Sequence, residues 1–289
     1  MAEQMQCMEV WGGNRSVEKH FQMPGLQVWL YSRPFDDAVS GGDVYYLSSC
    51  ASGRISRLLL ADVSGHGPPV SQCALRLREL MRRNINSISQ ARLVEGMNEE
   101  FTNFNRDGNF ATAVVGTFFA STGTFQLCTA GHPQPLLFRQ ETQTWEVFET
   151  APDSQRVSQL SGIPLGIVAG AKYSQARFAI QPGDMILAYT DGLTETEVAK
   201  DQLLNTEGLL SLIHSLDASQ PDRLLTNLLT ALRQQSTGPS GDDLTVLLAR
   251  ADRSGVSWHN NLLAPLRLFR PARDATRFRT SWNARSSEH

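Results

Sequence analysis

The 289-residue sequence lacks any long hydrophobic run, and its N-terminus has no basic region followed by an apolar segment. These absences argue against a membrane span and a secretory signal, so the predicted location is the cytoplasm and no membrane partner is expected. Charge of one sign is not in large excess either, and a net charge of −3 argues against general nucleic-acid binding. A content of 41% hydrophobic and 19% charged residues is typical of a globular protein, and the length suits one large domain.

Cysteine is also scarce, with only Cys7, Cys50, Cys73 and Cys128 in the whole chain. They are too widely spaced for a metal-binding pair, and Cys73 falls on the apolar face of a predicted helix. Buried thiols are therefore predicted in preference to disulfides or zinc ligands.

The segment of residues 61–67, ADVSGHG, is the point around which the predicted fold is organised. It follows residues 54–60, an apolar run of strand length. It precedes a stretch from Pro68 onward in which apolar residues recur every three or four positions, the period of a one-sided helix. Glycine allows a sharp turn here, and proline is tolerated in the first turn of a helix. Asp62 is therefore predicted to lie at the end of a strand.

Strands outnumber helices along the chain and mostly follow one another directly. Further helices are predicted at residues 90–105, 209–216 and 223–234, and further strands at 26–32, 44–49, 110–120, 124–130, 136–139, 144–148, 176–180, 185–190 and 244–249. This order favours antiparallel sheets with helices on their outer faces over a parallel βαβ arrangement. A hairpin of residues 44–49 with 54–60 would bring Asp43 and Asp62 together at one end of a sheet.

Both ends of the chain differ from the predicted domain of residues 26–250. Residues 1–25 show no clear period and are interpreted as an N-terminal arm or a short lead-in helix. Residues 251–289 contain seven arginines against three acidic residues, a charge of +4 that leaves −7 for the rest of the chain. They are interpreted as a basic C-terminal tail.

Four aspartates, Asp43, Asp62, Asp191 and Asp242, each lie beside a glycine at a predicted strand edge. Bringing carboxylates together costs roughly 4 kcal/mol per like-charged pair at 4 Å and an effective dielectric constant near 20, so such a cluster implies cations. Oxygen ligands without histidine or cysteine suit Mg²⁺ or Mn²⁺ better than zinc. Two such ions about 3.5–4 Å apart, bridged by a carboxylate, can activate water for attack on phosphorus.

Five segments in this order resemble the motif series of the bacterial SpoIIE/RsbU-type serine/threonine phosphatases, which belong to the metal-dependent PPM (type 2C) family. They are residues 41–43 (GGD), 61–67 (ADVSGHG), 129–133 (TAGHP), 189–195 (YTDGLTE) and 241–246 (GDDLTV). The resemblance implies an α+β fold in which a β-sandwich of two antiparallel sheets is flanked by helices, in α-β-β-α layers. It also implies a binuclear Mn²⁺ or Mg²⁺ centre at one end of the sandwich.

The family's residue roles can be transferred by motif position. Asp62 would bridge the two ions with help from the Val63 carbonyl, Asp43 would serve one ion, and Asp191 with Asp242 the other; Asp62 and Asp191 are the expected catalytic residues. The reaction implied is hydrolysis of phosphoserine or phosphothreonine on a partner protein, with an anti-sigma-factor antagonist as the expected substrate. The chain has no room for a fused receiver, PAS or kinase domain, so sensory input is expected from a separate partner or from the termini.

Some positions depart from the family pattern or allow two interpretations. The family often has a second aspartate where this chain has Tyr46, so a contact from that position is lost. His66 could protonate the leaving alkoxide or stabilise the turn, and we favour the second role. His132 is interpreted as structural. Asp243 competes with Asp242 as a ligand, and the motif position favours Asp242.

Two other functions are consistent with parts of the sequence. The GGD tripeptide is shared with nucleotide cyclases, but those need acidic residues directly after it, and Val44 and Tyr45 stand there instead. The stronger alternative is a phosphatase-fold binding protein with little activity that senses or sequesters a phosphorylated partner. The four aspartates argue against it, since a protein without catalysis has no need for so costly a cluster.

Overall fold

A computed structural model describes residues 2–5, 8–13, 15–35, 41–50, 54–65, 68–84, 87, 89–104, 108–148, 162–238 and 241–253. Its strands are β1 (Glu3–Gln4), β2 (Met8–Gly12), β3 (Val17–Met23), β4 (Leu26–Arg33), β5 (Asp43–Cys50), β6 (Ile55–Val63), β7 (Ala111–Phe119), β8 (Thr124–Ala130), β9 (Leu136–Arg139), β10 (Thr144–Val147), β11 (Gln175–Ala179), β12 (Met185–Tyr189), β13 (Glu197–Ala199), β14 (Gln202–Leu203) and β15 (Leu244–Ala251). Its helices are α1 (Pro68–Asn84), α2 (Gln90–Phe104), α3 (Asn205–His214) and α4 (Pro221–Gln235), with a 3₁₀ helix at Asp191–Leu193.

The strands form two large sheets and one small hairpin. The six-stranded sheet has the order β11-β8-β7-β6-β5-β2, and the seven-stranded sheet has the order β1-β3-β4-β15-β12-β9-β10. All neighbours pair antiparallel except β1 with β3. The predicted antiparallel sheets are confirmed, as is the predicted hairpin of residues 44–49 with 54–60, which corresponds to the β5–β6 pair.

Three apolar layers hold the sheets and helices together. One cluster joins α1 and α2 to the six-stranded sheet, with Leu77 and Met97 packed near Leu59. A second joins α3 and α4 to the seven-stranded sheet, and a third fills the space between the sheets. Strand β6 serves two layers because alternate side chains point to opposite faces: Leu59 faces the helices, whereas Leu60 faces the other sheet. The predicted α-β-β-α sandwich is confirmed.

The N-terminal segment differs from its prediction. Instead of an arm or a lead-in helix, residues 1–25 contribute β1 and β3 to one sheet and β2 to the other. The turn at Pro24 and Gly25, where Gly25 has φ +75°, joins β3 and β4 into a hairpin. Proline followed by glycine is a turn signal, but Lys19 interrupts the apolar face that Val17, Phe21 and Met23 form and so hides the strand character of β3.

The predictions for the cysteines and for the C-terminal tail can be compared with the structure only where it describes those residues. Cys73 and Cys128 are buried, as predicted, whereas Cys7 and the Cys50 side chain lie outside the described residues. Residues 254–289 also lie outside them, so the boundary of the basic tail stays a prediction. None of the helices within the described residues combines the length and apolarity needed to cross a membrane.

Candidate functional site

Asp43 and Asp62 lie directly opposite each other at one end of the six-stranded sheet. Asp43 is the first residue of β5, and its Cα partner across the β5–β6 ladder is Asp62. Alternation along each strand puts both on the face that Tyr45 and Leu60 present to the other sheet. Asp43 is only 2% exposed. The predicted meeting of these two carboxylates at a sheet end is confirmed.

The seven-stranded sheet supplies Asp191 and Asp242 from two neighbouring strand ends. Asp191 begins the 3₁₀ helix that follows β12, and Asp242 precedes β15, which pairs antiparallel with β12. Backbone amides of Thr194 and Glu195 each donate to the Asp191 carbonyl at 2.8 Å, which fixes the turn. A β-carbon at Gly192 would collide with the Asp243 carbonyl, so only glycine allows these two segments to approach this closely.

Gly42 packs closely against two predicted ligand oxygens. A β-carbon at this position would lie 2.7 Å from Asp62 Oδ1 and 2.7 Å from the Val63 carbonyl oxygen. The Val63 amide donates to the Gly42 carbonyl at 3.0 Å, which holds the two segments together. Any side chain at position 42 would therefore collide with both the Asp62 carboxylate and the Val63 carbonyl.

Mutual repulsion shows that the carboxylates lie within electrostatic range of one another. The pKa of Asp62 is raised to about 7, mainly by burial and in addition by the negative charges of Asp191, Asp242, Asp243 and Glu195. The pKa of Asp62 thus responds to the charges of Asp191 and of the turn before β15, which both belong to the seven-stranded sheet.

The pKa values of two other members move in the same direction. Burial raises the pKa of Asp43 well above its usual value, against hydrogen bonds from Thr245 and Thr190 that lower it. Burial also raises the pKa of Asp242, with Asp191 and Asp243 adding repulsion.

Glu195 is a member of this cluster to which sequence reasoning assigned no role. Burial raises its pKa, and the charges of Asp191 and Asp242 add to the effect, although the residue is largely exposed. The available signal was its position in the motif of residues 189–195, four residues after Asp191 and within the same tight turn. Glu195 adds a fifth negative charge to the aspartates that were predicted to converge.

The chemistry of the cluster fits hard divalent cations. Its donors are carboxylate oxygens and the Val63 carbonyl, the ligand types that Mg²⁺ and Mn²⁺ prefer. Across the described ranges, no three His, Cys, Asp or Glu side chains form a group that could already hold one ion. The carboxylates thus share an electrostatic environment without a preformed three-carboxylate cage.

Among the residues with departing or alternative roles, the structure describes His132 and Tyr46 but not His66. His132 is 6% exposed and its Nδ1 lies 2.9 Å from Thr112 Oγ1, and burial lowers its pKa to about 3. A neutral, packed side chain supports a structural role. His66 lies outside the described residues, so its role stays a prediction. Tyr46 packs among the residues under α1 and α2, on the opposite face from Asp43, and its hydroxyl donates to Glu9 at 3.1 Å.

The layered α-β-β-α sandwich is the fold of the type 2C phosphatases. Residues 52–252 match the family described as Stage II sporulation protein E (SpoIIE). The chain belongs to the SpoIIE family.

Individual relatives agree with this assignment. The phosphoserine phosphatase RsbU of Bacillus subtilis (strain 168) is 23% identical over 194 residues, which cover 67% of this chain and 55% of RsbU. The chain thus spans about half the length of that curated relative.

Two solved structures share the fold. The RsbU and RsbW domains of Rv1364c from Mycobacterium tuberculosis align with a TM-score of 0.67 and 26% identity, over 90% of this chain and 72% of that one. RsbX in complex with magnesium aligns with a TM-score of 0.59 and 17% identity, over 82% of this chain and 100% of that one.

Proposed function

We propose that this chain is a metal-dependent protein serine/threonine phosphatase that hydrolyses phosphoserine or phosphothreonine on a partner protein. The observation that carries the proposal is the convergence of Asp43 and Asp62 from one sheet with Asp191 and Asp242 from the other. Gathering so many like charges is costly unless cations neutralise them. Membership of the SpoIIE family and the likeness to a phosphoserine phosphatase support the same reaction.

Each ligand has a place in this proposal. Asp62 lies opposite Asp43 and within electrostatic range of Asp191 and Asp242, so it would hold the bridging position, with the Val63 carbonyl as a neutral donor beside it. Asp43 serves one ion, and Asp191 with Asp242 serves the other. Two Mn²⁺ or Mg²⁺ ions, when bound, supply an activated water for in-line attack and neutralise charge on the phosphoryl oxygens.

Residues of the chain orient the proposed ligands and determine the protonation state of the site. Carboxylates must be ionised to bind a cation, so the raised pKa of Asp62 makes protons compete with metal near neutral pH. His132 is held neutral by burial and is not positioned as a charged group. Because water attacks the phosphorus directly, the proposal includes no covalent enzyme intermediate.

The proposed substrate is a phosphorylated protein, with an anti-sigma-factor antagonist favoured by the resemblance to the SpoIIE/RsbU type. The likeness to RsbU, a named phosphoserine phosphatase, supports phosphoserine as the phosphorylated residue. A separate sensory or regulatory partner is part of the same proposal. The cytoplasmic location stays a prediction.

Hydrolysis of p-nitrophenyl phosphate and of phosphoserine peptides, with and without EDTA, tests the proposal. Chelation should abolish both activities, readdition of Mn²⁺ or Mg²⁺ should restore them, and phosphotyrosine peptides should be poor substrates. Full activity in EDTA would contradict the mechanism. Tight binding of a phosphorylated partner without turnover at any metal concentration would instead favour the binding-protein alternative.

A further inference from the structure

Asp243 differs from its neighbour Asp242 in burial and in hydrogen bonding. The Asp243 side chain is buried, whereas Asp242 is exposed. Asp243 Oδ1 accepts from the Phe35 amide at 2.7 Å. Its Oδ2 accepts from the Gly42 amide and lies 3.4 Å from the Asp43 amide. Both carboxylate oxygens of Asp243 are therefore occupied by backbone donors.

These hydrogen bonds connect the two halves of the site. Asp243 lies in the turn before β15, in the seven-stranded sheet, whereas Gly42 leads into β5 of the six-stranded sheet. Gly41 packs directly against the carboxylate, since a β-carbon there would collide with Asp243 Oδ2. Hydrogen bonds from backbone amides to a charged acceptor are among the stronger ones in proteins. The backbone that leads to Asp43 is thus fixed relative to the strand that follows Asp242.

We propose that Asp243 is a positioning residue that sets the location of Asp43 relative to Asp191 and Asp242 through the Gly42 backbone, and that it is not a metal ligand. Its consequence for catalysis rests on the proposed phosphatase function, but the hydrogen bonds exist independently of any ion. The two adjacent aspartates of the GDD sequence thus have different roles. Asp242 belongs to the carboxylate cluster, whereas Asp243 binds backbone amides of the segment that leads into the opposite sheet.

Asp242→Asn and Asp243→Asn form a matched pair, because the same chemical change is made at adjacent positions. In wild-type protein the Asp243 amide donates a hydrogen bond to Asp242 Oδ1 at 2.7 Å. In protein treated with EDTA, Asp242→Asn removes one charge from the repelling carboxylates and keeps an oxygen that can accept this hydrogen bond. Its melting temperature should stay level or rise. Asp243→Asn replaces an acceptor with a donor that faces backbone N–H groups, so its melting temperature should fall by about 2–6 °C.

Calorimetric Mn²⁺ titration provides a reading that a general loss of stability would not change. Asp243→Asn should keep the wild-type number of bound ions with affinity about five- to twentyfold weaker, whereas Asp242→Asn should lose one ion. Loss of an ion from Asp243→Asn, or wild-type melting and affinity in that variant, would overturn the proposal. Failure of the wild-type protein to bind Mn²⁺ would count against the proposed function, while the melting comparison would still decide the positioning role.

Amide hydrogen exchange on the wild-type protein covers the case in which Asp243→Asn does not fold. The Gly42 and Phe35 amides should be protected without metal and remain protected at saturating Mg²⁺. A positioning carboxylate keeps its backbone donors when ions bind, but a ligand must release them. Loss of protection at Gly42 on addition of Mg²⁺ would show that Asp243 turns toward the ion and would refute the proposal.

Discussion

At the scale of single residues, Asp191 is the sharpest test of the metal centre. Asparagine keeps the size of the side chain but removes a charge from the ion that Asp191 is proposed to bind. We expect Asp191→Asn to lower phosphatase activity at least about a hundredfold, because a ligand to one of the two ions is weakened. The fold should persist, since the metal-free cluster loses one repulsive charge.

Activity toward p-nitrophenyl phosphate at saturating Mn²⁺, together with circular dichroism, measures both parts of this expectation. Asp201→Asn is a suitable control, because Asp201 is an exposed aspartate in the turn between β13 and β14 and asparagine tolerates its φ of +59°. Near-wild-type turnover of Asp191→Asn would remove Asp191 from the ligand set.

Asp62 makes the stability of the metal-free protein depend on pH. Burial and neighbouring carboxylates raise its pKa to about 7 in the folded protein, far above the value of 3.8 for a free aspartate. The folded state thus binds the Asp62 proton more tightly than the unfolded state does. This contribution to stability is complete below about pH 4 and is lost as the pH rises through 7.

The melting temperature of EDTA-treated protein should therefore fall between pH 5 and pH 8. Asp62→Asn should reduce this fall but not remove it, since the raised pKa of Asp43 acts in the same direction. Thermal melts of both proteins across that range measure the difference. An identical pH dependence in the two proteins would mean that Asp62 does not titrate in this window.

At the scale of secondary structure elements, the N-terminal strands are part of both sheets. Strand β3 pairs along its whole length with β4, and β2 covers the edge of β5. Glu9 in β2 also accepts from Arg78 at 2.9 Å and lies 3.3 Å from Arg82, which ties the strand to α1. Arg78 stacks on Trp11 with its guanidinium 4.4 Å from the ring centre.

Deletion of residues 1–25 should abolish cooperative folding. The truncation removes Phe21 and Met23 from the core between the sheets and exposes the backbone of β4. Differential scanning calorimetry and solubility measure the effect, with deletion of residues 256–289 as the control. A truncated protein that still melts cooperatively near the wild-type temperature would restore the interpretation of this segment as an arm.

Local sequence patterns predicted the elements that lie between clear turn signals, but not the contacts between distant segments. Asp62 could be placed at a strand end because an apolar run stops there beside glycines. Strand β3 was missed because its pairing partner, not its own alternation, makes it a strand. The hydrogen bonds from Thr190 to Asp43 at 2.8 Å and from Gly42 to Asp243 join residues 147 and 201 positions apart. No local period carries that information.

At the scale of the whole molecule, the candidate site depends on how the two sheets face each other. Asp43 and Asp62 come from one sheet, and Asp191 and Asp242 from the other, so neither sheet alone contains all of the proposed ligands. The Thr190 hydroxyl crosses between them, since it donates to Asp43 Oδ2 while accepting from the Thr245 amide at 3.0 Å. Packing of the apolar layer between the sheets therefore sets the spacing of the carboxylates.

The basic tail is the remaining part of the chain to which a role can be assigned from charge. Residues 251–289 carry +4 against −7 on the rest of the chain. Leu262, Leu263, Leu266 and Phe269 recur at helical steps, but Pro265 and Pro271 would interrupt a helix. Positive charge would let such a segment bind an acidic protein substrate, without a part in the chemistry.

Deletion of residues 256–289 should separate docking from catalysis. Hydrolysis of p-nitrophenyl phosphate should stay within a few-fold of the full chain, because the proposed ligands all precede the deletion. The rate on a phosphorylated protein should change, and the change should shrink as salt rises and screens the charges over about 10 Å at 0.1 M. Replacing the seven tail arginines with glutamine in the full-length chain should reproduce the effect if charge is the cause. Loss of turnover on the small substrate, or unchanged rates on both substrates at every ionic strength, would contradict a docking role for the tail.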